Sequence, residues 1–182
     1  MLRVENLSKI FGSFPVFKDV KFSMGLGDAL QITGPNGSGK TTLLKCLSGY
    51  LESDFDALTY NEGSIKNTDV AFVSSDDRCF FPKLTLSENL GFFQKFYGTQ
   101  FNLELWKSRL GLEAHWGKAY QDCSTGIRKR LALLRGICKQ TPILFLDEPF
   151  ANIDPEFQPE LQSYLFNSDF LNNKILIFAS NN

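Results

Sequence analysis

The sequence predicts an α/β fold with a mostly parallel sheet at its core, an antiparallel β part at the N-terminus and a small helical lobe. Three observations carry this expectation. Short apolar runs alternate with amphipathic segments, the pattern of strands covered by helices. A glycine-rich loop joins the apolar run at 29–33 to a helical segment that opens at Lys40. An acidic pair, Asp147-Glu148, closes a second apolar run at 143–146, as at the carboxyl edge of an open α/β sheet.

In chain order, residues 1–8 and 16–24 alternate in strand fashion around a turn at Phe11-Gly12-Ser13-Phe14-Pro15. The short strand at 29–33 follows, then the loop and a helix over 40–50. Residues 51–69 are polar and weakly patterned, with Glu62-Gly63-Ser64-Ile65 reading as a turn into a short strand. Residues 70–73 form a buried strand. Segments 86–97 and 103–110 read as two amphipathic helices of a lobe set apart from the sheet, and 126–139 as a helix with a basic face. Strand 143–146, helix 155–166 and strand 174–179 complete the alternation, which implies parallel strands with helices on both faces. The expected organisation is one domain over 1–182, with a core at 1–74 and 118–182 and the lobe at 75–117.

Composition narrows the function classes. The 182 residues are 43% hydrophobic and 21% charged, ordinary for a globular domain with a sizeable core. Nineteen Lys and Arg against twenty Asp and Glu give a net charge of −1, which argues against nucleic acid binding through a broad basic field. The longest apolar runs are too short to span a bilayer, and the N-terminus lacks a signal-peptide run. The expectation is a soluble intracellular chain without direct membrane insertion. Cys46, Cys79, Cys123 and Cys138 form no Cys-x-x-Cys pair and His115 has no second ligand at metal spacing, so buried or half-buried thiols are expected rather than a zinc site. The 18 Phe read first as core filling.

The chemistry concentrates in two places. Gly34-Pro35-Asn36-Gly37-Ser38-Gly39-Lys40-Thr41, with Thr42 behind it, fits G-x-x-x-x-G-K-[ST] without a mismatch and lies between a strand and a helix. Its glycines let backbone N–H groups turn toward phosphate oxygens at a helix N-terminus. Lys40 is expected to reach the β- and γ-phosphates and Thr41 to ligate Mg²⁺. About a hundred residues later, Asp147 is expected to hold Mg²⁺ through water and Glu148 to polarise the attacking water as general base. Without the glycine loop, two carboxylates at a strand end would read more simply as the cap of the next helix.

With both halves in place, the chain resembles the nucleotide-binding subunit of an ABC transporter over its whole length. Residues 147–154, Asp-Glu-Pro-Phe-Ala-Asn-Ile-Asp, resemble the family's acidic strand end and D-loop, with Asp154 as the D-loop acid. Cys123-Ser124-Thr125-Gly126-Ile127-Arg128-Lys129-Arg130 stands where the family writes LSGGQ; Ser124 and Gly126 match, while Cys123, Thr125 and Ile127 do not. The resemblance implies that Ser124 and Gly126 cover the γ-phosphate bound by the opposite subunit. Arg128, Lys129 and Arg130 then read as a solvated helix face. Phe11 resembles the aromatic that stacks on adenine, with Phe14 and Phe17 as alternatives. ATP and Mg²⁺ are the implied cofactors, and a second ATPase subunit and separate transmembrane permease subunits, docking near 75–110, the implied partners. The implied location is cytoplasmic, at the inner face of the membrane through the permease.

Two departures stand out. Where the family has a glutamine contacting Mg²⁺, alignment places Ser75; where it has a switch histidine, counting from Glu148 places Asn181, with Ser180 one residue off. Asn donates a hydrogen bond but carries no positive charge. Since a lost preorganised donor costs about 10²–10³ in turnover, the expectation is slow but real ATP hydrolysis. The 31–34 and 146–150 segments resemble the haem-exporter-type ATPase of cytochrome c maturation, and short drug or polysaccharide exporters fit as well. A degenerate ATP-binding regulatory subunit and a non-transport ABC ATPase are the alternatives. The chain stops one or two residues after its switch strand, consistent with either a trimmed family core or a truncated chain.

Overall fold

Two β-rich runs at the N-terminus pair with each other. In the computed structural model, which describes residues 1–74 and 79–181, β1 (Leu2–Phe11) and β2 (Phe14–Met24) form an antiparallel hairpin. Phe11 pairs with Phe14 across a two-residue turn, tighter than the five-residue turn expected. Register shifts interrupt this ladder between Val4 and Leu7 and again near Lys9. On its other side β1 pairs with β4 (Ala57–Tyr60), which turns into the two-residue β5 (Gly63–Ser64), so the first sheet runs β2-β1-β4-β5. β4 lies in the stretch that the sequence left unpatterned; its four residues are all half-buried, so no alternation announces it.

The second sheet is parallel, in the order β3-β8-β7-β6, built from β3 (Ala29–Thr33), β6 (Val70–Val73), β7 (Ile143–Asp147) and β8 (Ile175–Ser180). β7 and β8 are apolar almost throughout because both of their faces are covered. Ile143 and Phe145, with Ile175, Ile177 and Ala179, pack toward helix α1 (Lys40–Leu47) and the inner face of β1, meeting Leu44, Leu47, Leu2, Val4 and Leu7. Leu144 and Leu146, with Leu176 and Phe178, point the other way, into a core shared with the remaining helices. One sheet thus separates two apolar layers.

Those helices are α2 (Leu86–Tyr97), α3 (Leu103–Arg109), α4 (Thr125–Cys138), α5 (Gln158–Leu165) and a short α6 (Ser168–Leu171) that the sequence reading missed. α2 opens with a complete capping box between Thr85 and Glu88 and ends at Gly98 in the left-handed region. Leu86, Leu90 and Phe93 bury its apolar side in the same cluster as Leu131 and Leu134 of α4. α1 stops at Leu47, three residues short of expectation, because Gly49 turns left-handed (φ +74°) after the Ser48 cap. α5 begins at Gln158 rather than 155, since residues 154–157 close a turn in which Phe157 N–H donates to Asp154 O (2.9 Å).

The basic face of α4 is corrected outright. Arg128 donates to Tyr120 O (3.1 Å) and Gln121 O (2.7 Å), buried Lys129 to Asp147 O (3.2 Å), and Arg130 to Leu110 O (3.1 Å). These cations cap carbonyls at the ends of neighbouring segments instead of facing water. The thiol and aromatic expectations need adjustment too. Cys46, Cys123 and Cys138 are buried but Cys79 is exposed. Phe11, Phe14, Phe55, Phe81, Phe92, Phe96 and Phe166 lie on the surface rather than in the core.

Candidate functional site

The loop between β3 and α1 curls because its glycines take backbone angles that side chains resist. Gly37 (φ +82°) and Gly39 (φ +96°) are left-handed, and a Cβ on Gly39 would stand 2.4 Å from Val16 Cγ1. Gly39 is also the N-cap of α1 and brings no side chain to it, which leaves the first-turn amides for a ligand. The resulting cleft, about 430 Å³, is lined by Val16, Asn36, Gly37, Gly39, Lys40, Thr41, Thr42 and Glu148.

Lys40 begins α1 and is only 8% exposed. Its ammonium donates to Gly34 O (2.8 Å), Pro35 O (3.2 Å) and Asn181 Oδ1 (2.8 Å), with Glu148 Oε1 at 3.7 Å. Thr41, one residue on, donates to the carboxylate of Asp147, its hydroxyl 3.0 Å from each oxygen. Asp147 is buried at the end of β7, one strand away from β8, which delivers Asn181. Gly34 to Thr41, Asp147, Glu148 and Asn181, the candidates read from the sequence, therefore lie around one small volume. Of the two candidates for the switch position, Asn181 is the one that contacts Lys40, while Ser180 ends β8.

Glu148 has a feature that no sequence pattern announces. Its φ is +52°, the left-handed region, and its N–H donates to Ala179 O (3.1 Å). A non-glycine residue held there by its surroundings is a common mark of a functional position. The strained turn aims the carboxylate into the cleft instead of along the next segment.

The second half of the expected site lies apart from this cleft's lining. Ser124 is the N-cap of α4, accepting from Ile127 N–H (3.3 Å), and Gly126 sits in the helix's first turn. A Cβ on Gly126 would lie 2.9 Å from Asn152 O, so the signature segment packs directly on the turn after Glu148. Asp154, in that turn, is 81% exposed in its side chain and 4.0 Å from Arg130. Phe11 is half-exposed at the hairpin tip, with Lys9 Nζ 5.0 Å from its ring centroid, and neither it, Phe14 nor Phe17 lines the phosphate cleft. Val16 does, and sequence reasoning missed it; its place four residues beyond Gly12 on the hairpin's return strand was the available signal. Ser75 lies outside the described residues.

The pieces fit ATP and Mg²⁺ chemically. Thr41 and Asp147 present hard oxygen donors face to face, and Mg²⁺ is commonly held by few protein oxygens together with phosphate. Among the described residues no group of three or more His, Cys, Asp and Glu forms a separate metal cage.

Comparison with known proteins places the chain in a family. Residues 17–151 match the family model described as ABC transporter. The chain is 33% identical over 175 residues to a probable sulfate/thiosulfate import ATP-binding protein CysA of Chlorella vulgaris, covering 89% of this chain and 72% of that protein. It is 27% identical to a spermidine/putrescine import ATP-binding protein PotA of Fusobacterium nucleatum, covering 96% of this chain and 48% of that one. The chain thus spans about half the length of that bacterial relative. Among solved structures, a putative ABC transporter ATP-binding protein from Pyrococcus furiosus superposes with a TM-score of 0.87 at 24% identity, over 100% of this chain and 91% of its own. The relatives cited here carry import names, and the haem-exporter likeness of 31–34 and 146–150 is not repeated among them.

Proposed function

The chain belongs to the ABC transporter family, as one of its ATP-binding domains, and from that premise we propose that it hydrolyses ATP to drive transport through separate membrane subunits. The convergence of Lys40, Thr41, Asp147 and Glu148 in one cleft carries this reading. The loop amides from Asn36 to Thr42 cradle the phosphates, and Lys40 neutralises the β- and γ-phosphoryl oxygens. Thr41 and Asp147 would hold Mg²⁺, which would supply positive charge to offset that of the phosphates. Glu148, aimed by its left-handed backbone, accepts a proton from the attacking water.

The second ATPase subunit supplies what this cleft lacks. Ser124 and Gly126 of one copy cover the γ-phosphate held by the other, with Asp154 at the seam, so ATP joins two chains about a two-fold axis and hydrolysis releases them. The lobe at 75–117 is the part that meets the permease. Support comes from Phe81, Phe92 and Phe96, all exposed there, and from an adjoining groove of about 600 Å³ between α2, α4 and the edge of β6. Among the described residues no helix is long and apolar enough to cross a membrane, so the assembly we propose is peripheral, at the cytoplasmic face, attached through its permease.

Steady-state ATP hydrolysis with Mg²⁺, comparing the wild type with Glu148→Gln, tests the enzymatic reading. Turnover well above the variant supports it, and indistinguishable rates contradict it. Those indistinguishable rates would instead favour a regulatory subunit that binds ATP without hydrolysing it, a reading that Asn181 at the switch position motivates.

A further inference from the structure

We propose that Asn181 is a latch on Lys40 that sets the preference for ATP over ADP, an inference that rests on the ATP-binding reading of the cleft. An ammonium group has three protons and accepts nothing. In this structure all three have acceptors: Gly34 O at 2.8 Å, Pro35 O at 3.2 Å and Asn181 Oδ1 at 2.8 Å. Two of these belong to the loop itself. The third comes from a residue 141 positions away, at the far end of β8. Lys40 is almost fully buried, so little water competes for it. Loop and switch position together thus hold the cleft's key cation.

Nucleotide entry must undo this contact, and the two nucleotides differ in what replaces it. A phosphate oxygen is an anionic acceptor, stronger than a neutral amide, so Lys40 transfers to the phosphates. The freed carboxamide carries a donor beside its acceptor, and rotation of the terminal torsion presents Nδ2–H where Oδ1 had been. With a triphosphate that donor meets the γ-phosphate, and the lost bond to Lys40 is replaced. With a diphosphate nothing stands at that place, and the latch opposes binding without compensation. A protonated histidine could only donate to the phosphate and could not hold Lys40. The exchange from acceptor to donor is a property of the amide.

The test measures dissociation constants for Mg²⁺–ADP and for the non-hydrolysable Mg²⁺–AMP-PNP by isothermal titration calorimetry, in the full chain and three variants. In Asn181→Ala we expect ADP to bind about tenfold more tightly and AMP-PNP no more tightly than in the wild type, given the usual worth of one such bond. The AMP-PNP/ADP preference thus falls at least about tenfold. Asn181→Asp, a stronger acceptor that repels the γ-phosphate, should weaken both nucleotides, AMP-PNP the more. Asn181→His should regain preference for AMP-PNP without weakening ADP. Unchanged or weaker ADP binding in Asn181→Ala overturns the latch. If Asn181→Ala does not fold, the Asp and His variants decide, and equal shifts for both nucleotides in each overturn it. A wild type that binds neither nucleotide sinks the ATP-binding reading itself, and the latch with it.

Discussion

Two regions of this chain meet the same expected ligand under opposite conditions. The phosphate cleft is satisfied from within: Lys40 is buried and bonded to three oxygens, and Thr41 rests on both oxygens of Asp147. The signature region is turned outward, with Ser124 exposed at the start of α4 and the Asp154 side chain 81% exposed. The first is built to hold a charge; the second is a surface rigidly mounted on the turn after Glu148. In the proposed assembly, the chain contributes one half to each of two sites. That proposal gives ligand capture to the inner half and assembly to the outer.

The sharpest way to break this division is at Glu148. Its replacement by Gln keeps shape and hydrogen bonding but removes the base, so turnover should fall by about 10²–10⁴ while ATP still binds. Loss of binding together with turnover would show that Glu148 supports the cleft rather than the reaction. Next in size, Thr41→Ala removes the hydroxyl that faces Asp147, and the Mg²⁺ concentration for half-maximal hydrolysis should rise at least about tenfold. A magnesium titration reads this directly. Gly126→Ala enters from the outer half. The added Cβ meets the Asn152 carbonyl at 2.9 Å, a misfit that costs about 1–3 kcal/mol. Self-association in the presence of ATP should weaken by more than the AMP-PNP affinity of the monomer does, because the misfit lies in the signature segment and reaches the cleft only through the turn after Glu148.

The smallest effect lies outside both halves. At the start of α2 the Thr85 backbone N–H and hydroxyl donate to Glu88, each at 2.8 Å, and hold its carboxyl below its ordinary value of 4.5. A lowered folded value means that this stabilisation is complete above 4.5 and is lost as pH falls through the lowered one. Glu88→Gln should therefore lower the melting temperature slightly at pH 7 and by less at pH 3. An equal loss at both would mean that the cap does not depend on the charge.

Much of the inner half was legible beforehand, because its chemistry demands a fixed order of residue types. Gly34 to Thr41 and Asp147-Glu148 are contiguous words between apolar strands, and two-sided burial made β7 and β8 readable as runs. What escaped depends on the fold bringing distant residues together. Val16 reaches the cleft only because the hairpin lays β2 against the loop. The left-handed turn at Glu148 has no compositional signal, since glycine usually marks such a turn. The cations of α4 look like a solvated face in one dimension, yet Lys129 ends on the carbonyl of Asp147 itself. β4, half-buried along its whole length, had no period to read.

Light scattering coupled to gel filtration on Glu148→Gln, with and without ATP and Mg²⁺, tests the division of labour most directly. A monomer without nucleotide and a dimer with it are expected, because in the proposed assembly ATP held in the inner half of each copy is covered by Ser124 and Gly126 of the other. A variant that binds ATP to saturation and remains monomeric at concentrations well above its nucleotide dissociation constant would contradict it.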